Sequence, residues 1–194
     1  MTQVIGGFAA LELHPNILAA VIATGYEEPS AIQAMSIPVI LAGDDMIGQA
    51  QTGTGKTAAF ALPILSRIDP AKRQPQALIL APTRELALQV ASAFETYAKQ
   101  MPGVNVIAVY GGAPMGPQLK AIRNGAQIIV ATPGRLVDHM RRDEKVLSTV
   151  RHLVLDEADE MLKLGFMDDL EVIFKGIPAE RQTVLFSATL PHSI

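Results

Sequence analysis

Short apolar runs alternate with longer amphipathic stretches along most of the chain, and this alternation predicts the order of its elements. The predicted strands are 45–48, 77–81, 104–110, 127–131, 152–156 and 183–187. The predicted helices between and after them lie near 56–67, 84–99, 115–124, 134–142 and 166–175. Strands that alternate with helices form right-handed βαβ units, so the pattern predicts an α/β fold with a mostly parallel sheet and helices on both faces.

The helix over 84–99 has the clearest periodicity, an apolar stripe that recurs every three or four residues: Leu86, Val90, Phe94 and Tyr97.

Pro63 lies late in the helix over 56–67 and is expected to kink or end it, because proline has no N–H to donate. Two further helices, 15–24 and 30–41, flank a turn at 25–29 and are expected to be an N-terminal addition to the same sheet unit.

Composition narrows the class of protein. The 194 residues suit one domain, and 49% hydrophobic against 5% aromatic residues predicts an aliphatic core. The absence of cysteine excludes disulfides, thiolate catalysis and Cys-ligated zinc. The four histidines show no metal-ligand spacing: His14, His139, His152 and His192.

Charge and hydropathy bear on partners and location. A net charge of −3 does not favour a nucleic-acid partner, so local motifs have to support any such partner. The N-terminus has no basic stretch before an apolar one, and the longest uncharged run, 100–119, is broken by proline and glycine. We therefore expect a soluble, cytoplasmic protein with no membrane partner.

The segment 50–57, AQTGTGKT, follows a predicted strand and precedes a predicted helix. It matches the P-loop pattern G-x-x-x-x-G-K-[ST], except that Ala50 replaces the first glycine. Glycines at 53 and 55 let successive N–H groups turn inward around phosphates, Lys56 supplies a cation, and the Thr57 hydroxyl can ligate Mg²⁺. A Gly/Thr-rich turn with an incidental lysine is the alternative. The candidate nucleotide-binding residues are Gln51, Thr52, Gly53, Thr54, Gly55, Lys56 and Thr57.

A second segment, LVLDE at 153–157, is an apolar run that ends in two acids. In P-loop enzymes such a strand presents an aspartate to Mg²⁺, and the next acid can polarise the attacking water. Alone, the two acids could equally form a solvated turn. Together with the P-loop, they make Lys56, Asp156 and Glu157 the catalytic candidates, and Thr57 and Asp156 the metal ligands.

With DEAD at 156–159, the chain resembles the N-terminal, RecA-like domain of DEAD-box ATP-dependent RNA helicases, and most closely the bacterial cold-shock group. GYEEPSAIQ at 25–33 is similar to the family's Q motif, with Phe8 at its upstream aromatic position and Ser30 where threonine is more usual. The other matching strings, in the family's order, are PTRELA at 82–87, GG at 111–112, TPGR at 132–135 and SAT at 187–189. Each string alone could be ordinary loop or helix-start sequence. Ala50 in the P-loop also resembles the family's own form.

The resemblance implies a RecA-like P-loop NTPase domain that uses ATP and Mg²⁺. It implies that Gln33 recognises adenine, with Phe8 and Tyr26 in apolar contact with the base. It implies RNA contacts to sugar and phosphate from Pro82, Thr83, Arg84, Gly111, Gly112, Thr132, Pro133, Gly134 and Arg135. It also implies that Asp159, Ser187 and Thr189 link the nucleotide site to closure of the motor.

The resemblance further implies that 1–194 is one N-terminal domain, with the Q-motif extension at about 8–42, and that the family's second RecA-like domain is absent from this chain. On its own the chain is then expected to bind nucleotide and RNA weakly and to hydrolyse ATP poorly. Two alternatives remain open at this point: a P-loop DNA translocase, and a non-catalytic nucleotide- or RNA-binding module.

Overall fold

The computed structural model of the chain describes residues 7–51 and 53–189. In it, six strands form one sheet in which every neighbouring pair is parallel, in the order β1-β6-β5-β2-β4-β3. The strands are β1 (Met46–Gln49), β2 (Ala77–Leu80), β3 (Val106–Val109), β4 (Ile128–Ala131), β5 (His152–Leu155) and β6 (Gln182–Ser187). The predicted α/β fold is confirmed, and the sheet is wholly parallel.

Eight α-helices accompany these strands in the described part of the chain: α1 (Pro15–Ala23), α2 (Ala31–Ala42), α3 (Lys56–Arg67), α4 (Arg84–Tyr97), α5 (Met115–Arg123), α6 (Pro133–Met140), α7 (Ala158–Lys163) and α8 (Met167–Gly176). Helix α3 continues past Pro63 to Arg67, so the helix does not end at the proline. The flanking Leu62, Ile64 and Leu65 are fully or almost fully buried, and their packing offsets the one hydrogen bond that Pro63 cannot make. The sequence did not predict α7, which is only six residues long.

Alternate side chains of the central strands β2, β4 and β5 enter two separate cores, one on each face of the sheet. Ile79, Val130 and Val154 pack with helices α1 to α4. Leu78, Leu80 and Leu153 pack with helices α5 to α8. Burial on both faces explains why these strands read as continuous apolar runs rather than as alternating ones. None of the helices in the described ranges is long and apolar enough to cross a membrane.

Candidate nucleotide and nucleic-acid site

All six carboxyl strand ends meet at one edge of the sheet, where ligands bind in open α/β folds. The strand order divides this edge into two halves. The neighbours β1, β6 and β5 lead into the P-loop, the 187–189 segment and the Asp156-Glu157 pair. The neighbours β2, β4 and β3 lead into the segments 82–87, 132–135 and 111–112. The two sets of predicted residues thus occupy adjacent halves of one edge.

The P-loop connects β1 to α3 with two glycines in the left-handed region, Gly53 at φ +85° and Gly55 at φ +83°. Gly55 is the N-cap of α3, so the positive end of a twelve-residue helix faces the loop. The Thr54 hydroxyl donates to the Gln51 carbonyl oxygen at 2.8 Å, which closes the turn. The predicted residue Thr52 lies outside the described residues. This arrangement is that of an anion-binding loop.

Lys56, the first residue of α3, meets the two acids that follow β5. Its Nζ lies 3.0 Å from Oδ1 of Asp156 and 3.3 Å from Oε1 of Glu157. Lys56 and Asp156 are buried, whereas the side chain of Glu157 keeps a quarter of its surface exposed. The structure therefore brings the three predicted catalytic residues together, across about a hundred residues of sequence.

Both carboxylate oxygens of Asp156 are buried, and neither accepts a well-aligned hydrogen bond within the described ranges, despite the nearby ammonium. Burial raises the pKa of Asp156, and the charge of Lys56 opposes that rise. A buried carboxylate whose capacity to accept hydrogen bonds is not filled fits a hard cation, because Mg²⁺ binds one or two carboxylates and fills its remaining positions with water and phosphate. The described residues contain no group of three or more His, Asp or Glu placed to hold a metal alone. The site thus fits a cation that arrives with a phosphate ligand.

Glu157 is held in an unusual backbone conformation. Its φ is +56° and its ψ is +52°, the left-handed region, and it forms the N-cap of α7. For a residue with a Cβ this conformation costs on the order of 1–3 kcal/mol, and such strain concentrates at functional sites. The turn points the side chain of Glu157 back toward Lys56 rather than along the sheet.

The Q-motif segment contacts the P-loop directly. Gln33, in the first turn of α2, donates from Nε2 to the Gly55 carbonyl oxygen at 3.1 Å and accepts from the Ser30 N–H at 2.9 Å. The Ser30 hydroxyl donates to the Thr54 carbonyl oxygen at 3.0 Å. A Cβ at position 55 would come within 2.5 Å of Gln33, so the glycine is also required for this approach. The segment thus fixes the backbone of the phosphate loop.

The two predicted aromatic contacts differ in exposure. Phe8 is only 3% exposed and belongs to the core, whereas Tyr26 is 44% exposed. Their ring centroids lie 6.1 Å apart. Tyr26 is therefore the ring with free surface, and Phe8 supports it from beneath.

The three residues predicted to couple nucleotide and motor closure form one hydrogen-bond cluster. Asp159 accepts from the Thr189 hydroxyl at 2.8 Å and the Thr189 N–H at 3.3 Å, and its own N–H donates to Ser187 Oγ at 3.2 Å. Burial acts to raise the pKa of Asp159, but hydrogen bonds from Thr189 and Ser187, with the Lys163 charge, outweigh it and lower the pKa to about 2. The cluster fastens the start of α7 to the end of β6.

On the other half of the edge, Arg84 and the 111–112 loop lie together. The Arg84 guanidinium carbon is 4.9 Å from the centroid of the Tyr110 ring, and a Cβ at Gly112 would be 3.7 Å from an Arg84 nitrogen. Thr83 caps α4 by accepting from the Leu86 N–H at 3.2 Å. Sequence reasoning missed Tyr110, whose only signal was its position directly before the two glycines.

The third segment of this half, 132–135, starts α6. The Thr132 N–H donates to the Val109 carbonyl oxygen at 2.9 Å, which ties it to the end of β3. Pro133 is buried at the first position of the helix, whereas Gly134 and Arg135 are partly exposed. Pro82 is buried, while Gly111 and Gly112 are exposed. Each of the three segments thus presents exposed or partly exposed groups at the same edge of the sheet.

Comparison with known sequences agrees with this geometry. Residues 30–194 match the family DEAD/DEAH box helicase. The chain is 55% identical over 187 residues to the ATP-dependent RNA helicase DeaD of Mycobacterium tuberculosis, covering 96% of this chain and 33% of the relative. It is 56% identical to the ATP-dependent RNA helicase DeaD of Escherichia coli K12, covering 96% of this chain and 30% of the relative. The chain thus spans about a third of the length of these curated relatives.

A solved structure shows the same architecture. The crystal structure of a DEAD box protein from the hyperthermophile Methanococcus jannaschii superposes with a TM-score of 0.91 at 41% identity, over 96% of this chain and 51% of that one. Sequence and fold agree on the assignment made from the motifs. The chain belongs to the DEAD/DEAH box helicase family.

Proposed function

We propose that this chain is the ATP-binding and ATP-hydrolysing half of an RNA helicase that separates short RNA duplexes or remodels RNA–protein complexes. The observation that carries the proposal is the cluster beside the P-loop in which Lys56 pairs with the buried Asp156 and with the partly exposed Glu157. The names of the relatives, ATP-dependent RNA helicases, support it. A protein of this kind would act in the cytoplasm.

In this proposal the nucleotide half of the edge binds ATP with Mg²⁺. Backbone N–H groups of the P-loop and Lys56 would hold the phosphates, and Thr57 and Asp156 would hold Mg²⁺, whose charge would offset that of the phosphates. Lys56 then exchanges its carboxylate partners for phosphate oxygens. Glu157 accepts the proton of the attacking water or orients it.

Gln33 is proposed to select adenine. Its amide has two N–H donors and an oxygen with two lone pairs, and the contacts to Gly55 and Ser30 use one of each. The remaining N–H and lone pair match the N7 acceptor and N6 donor of adenine. Tyr26 would supply apolar surface to the base, with Phe8 behind it.

The other half of the edge is proposed to hold RNA by sugar and phosphate. Arg84 and Arg135 supply charge, while Thr83, Thr132 and the loop amides supply uncharged donors, so binding would tolerate any sequence. Preference for RNA over DNA requires contacts to the 2′-hydroxyl. The relatives are about three times as long as this chain, and we expect their additional polypeptide to supply further contacts to ATP and RNA. The isolated chain should therefore bind both ATP and RNA weakly.

Two measurements test the proposal. In the isolated chain, titration should show ADP bound more tightly than GDP, and equal affinities would contradict the role of Gln33. The second uses a chimera in which residues 1–194 replace the matching segment of the E. coli relative. Its ATPase activity should be stimulated by single-stranded RNA and much less by DNA of matched sequence. Equal stimulation would favour the DNA-translocase alternative, and absence of turnover in a folded chimera would favour a non-catalytic binding module.

A further inference from the structure

A buried polar pair lies beneath the proposed RNA-binding half of the edge, between α5 and α6. Nε2 of His139 and Oε1 of Gln118 are 3.1 Å apart, and Nε2 of Gln118 donates to the Tyr110 carbonyl oxygen at 3.1 Å. His139 is fully buried and Gln118 is 6% exposed. Neither residue belongs to any motif identified in the sequence, and neither is placed to touch a ligand.

The hydrogen-bond chemistry fixes the proton on the imidazole. Because the Tyr110 carbonyl only accepts, the amide nitrogen of Gln118 must face it, and the amide oxygen must face His139. His139 therefore carries its proton on Nε2, and its buried Nδ1 is a lone pair with no partner in the described ranges. Burial, then the charges of Arg135 and Arg142, lower the pKa of His139, while Asp138 opposes them. The ring is a neutral, fixed donor.

This chain of hydrogen bonds, from His139 through Gln118, ends at the loop that contains Gly111 and Gly112. The carbonyl of Tyr110 comes directly before Gly111 and Gly112, which have no side chains to anchor them, and Gly112 has φ +81°. The bond from Gln118 ties the start of the loop, at Tyr110, to the first turn of α5, into which the loop leads. The Tyr110 ring in turn carries the Arg84 guanidinium at 4.9 Å.

We infer that Gln118 and His139 are positioning residues for RNA: they hold the Tyr110 carbonyl so that the glycine loop and Arg84 keep the geometry that meets the sugar-phosphate backbone. An apolar pair of the same volume would fill this space at lower desolvation cost, but it would not fix the direction of the carbonyl. This inference rests on the proposed function, since it names what orders the RNA-binding half of the edge.

The chain contains a matched control at the opposite end of the sheet. His152 and Gln182 form the same pair, with Nδ1 and Oε1 3.1 Å apart, and the Gln182 amide donates to two carbonyl oxygens, of Ile40 at 3.0 Å and Asp44 at 2.7 Å. Gln182 is as buried as Gln118, at 6% exposed. This pair lies at the amino ends of the strands, remote from the proposed RNA contacts, so it reports only on stability.

The test compares Gln118→Met with Gln182→Met in the isolated chain, with a labelled single-stranded RNA oligonucleotide as probe. Both changes remove a buried amide of similar size, so both should lower the melting temperature. Only Gln118→Met should weaken RNA binding, by roughly two- to tenfold for the lost hydrogen bond, with ADP affinity unchanged. His139→Gln, whose amide can donate in place of Nε2–H, should retain most of the RNA affinity.

A second measurement needs no substitution, in case Gln118→Met fails to fold. Nitrogen NMR of the unaltered chain should show His139 with its proton on Nε2, and RNA should shift the signals of this N–H and the Gln118 side-chain amide although both are buried. Equal RNA affinity of the two Met variants, or signals that RNA leaves unmoved, would overturn the inference. Failure of the unaltered chain to bind RNA at all would instead count against the proposed function.

Discussion

At the scale of single residues, Lys56 and Glu157 are expected to have different roles at the proposed nucleotide site, although their charged groups are only 3.3 Å apart. Lys56 neutralises a buried aspartate, whereas Glu157 is partly exposed and held at positive φ. Removing the first should disturb binding and folding, and changing the second should disturb chemistry alone. The two residues therefore provide a paired experiment.

Glu157→Gln should leave ATP affinity near normal and reduce ATP turnover of the chimera by about 10²–10⁴-fold, because the amide keeps the shape but cannot take a proton. Turnover is measured at saturating ATP and RNA, and affinity by nucleotide titration. Normal turnover in the Glu157→Gln protein would show that another group activates the water.

Lys56→Ala should behave in the opposite way, with weakened ATP binding and a less stable fold. Breaking a buried ion pair costs about 3–5 kcal/mol when the remaining charge is left unpaired. Because the pKa of Asp156 is raised in the folded state, acid protonates it and removes that charge, so the stability deficit should shrink as the pH falls. Urea unfolding at pH 7.5 and pH 5 checks this, and a deficit independent of pH would contradict it.

The pKa of Asp159 is shifted in the opposite direction to that of Asp156. Its pKa is lowered to about 2 in the folded state, so its ionised form stabilises the fold above the unfolded value of 3.8, and that contribution is lost as the pH falls toward 2. Asp159→Asn should cost about 2 kcal/mol at pH 7. The difference between the two proteins in urea unfolding should narrow below about pH 4, and a constant difference would contradict the role of ionisation.

Most residues of the nucleotide half could be predicted from sequence, because the P-loop and the paired acids are contiguous strings with a known chemistry. The partners of Gln33 and the pair formed by Gln118 and His139 could not. Each depends on contacts across 21 or 22 residues between separate elements, and buried glutamines and histidines leave no periodic signal. Tertiary geometry, not local pattern, decides where such side chains find partners.

At the scale of elements, the close packing of β1 against β6 requires a glycine at position 48. A Cβ at Gly48 would come within 2.6 Å of the Phe186 ring, which is fully buried against Phe60. The apolar runs predicted each strand to within two residues at either end, with the largest difference in β3, predicted at 104–110 and observed at Val106–Val109. The close packing at Gly48 was not predictable, because it depends on a register that joins residues far apart in sequence.

Gly48→Ala should therefore destabilise the chain by about 1–3 kcal/mol, as overpacking in a closed core does. Gly116→Ala is the matched control, since nothing lies within 4 Å of a Cβ there and alanine favours the helix. Thermal unfolding should show a lower melting temperature for the first variant and an equal or higher one for the second. Equal losses in both would mean that the Phe186 ring moves aside freely.

At the scale of the whole molecule, the net charge of −3 does not describe the local charge at the half of the sheet edge proposed to bind RNA. Arg84 and Arg135 are the arginines proposed to meet phosphate there. Replacing both with Ala should lower RNA-stimulated turnover of the chimera and leave nucleotide affinity unchanged. For the isolated chain, the slope of log affinity against log salt concentration should become shallower by about 0.7 for each lost phosphate contact.

Arg141→Ala is the control for this prediction. Arg141 is a highly exposed arginine at the far end of α6, paired with Asp138 at 3.4 Å, and its loss changes the net charge without touching the proposed contacts. An equal effect from Arg141→Ala would indicate that overall charge, rather than the edge of the sheet, governs RNA binding.

The strand order also determines when the protein can assemble during its own synthesis. Strands β2, β4 and β5 can pair once residue 155 has emerged, but within the described chain β1 pairs only with β6. Asp45, at the start of β1, accepts from the N–H of Thr183, which lies 138 residues later. At translation rates of about 5–20 residues per second, β1 waits roughly 7 to 30 s for its partner. The P-loop, although encoded early, thus gains the backbone support of β6 only after residue 187 has been made, and we expect a nascent chain stalled before β6 to bind nucleotide more weakly than the complete sheet does.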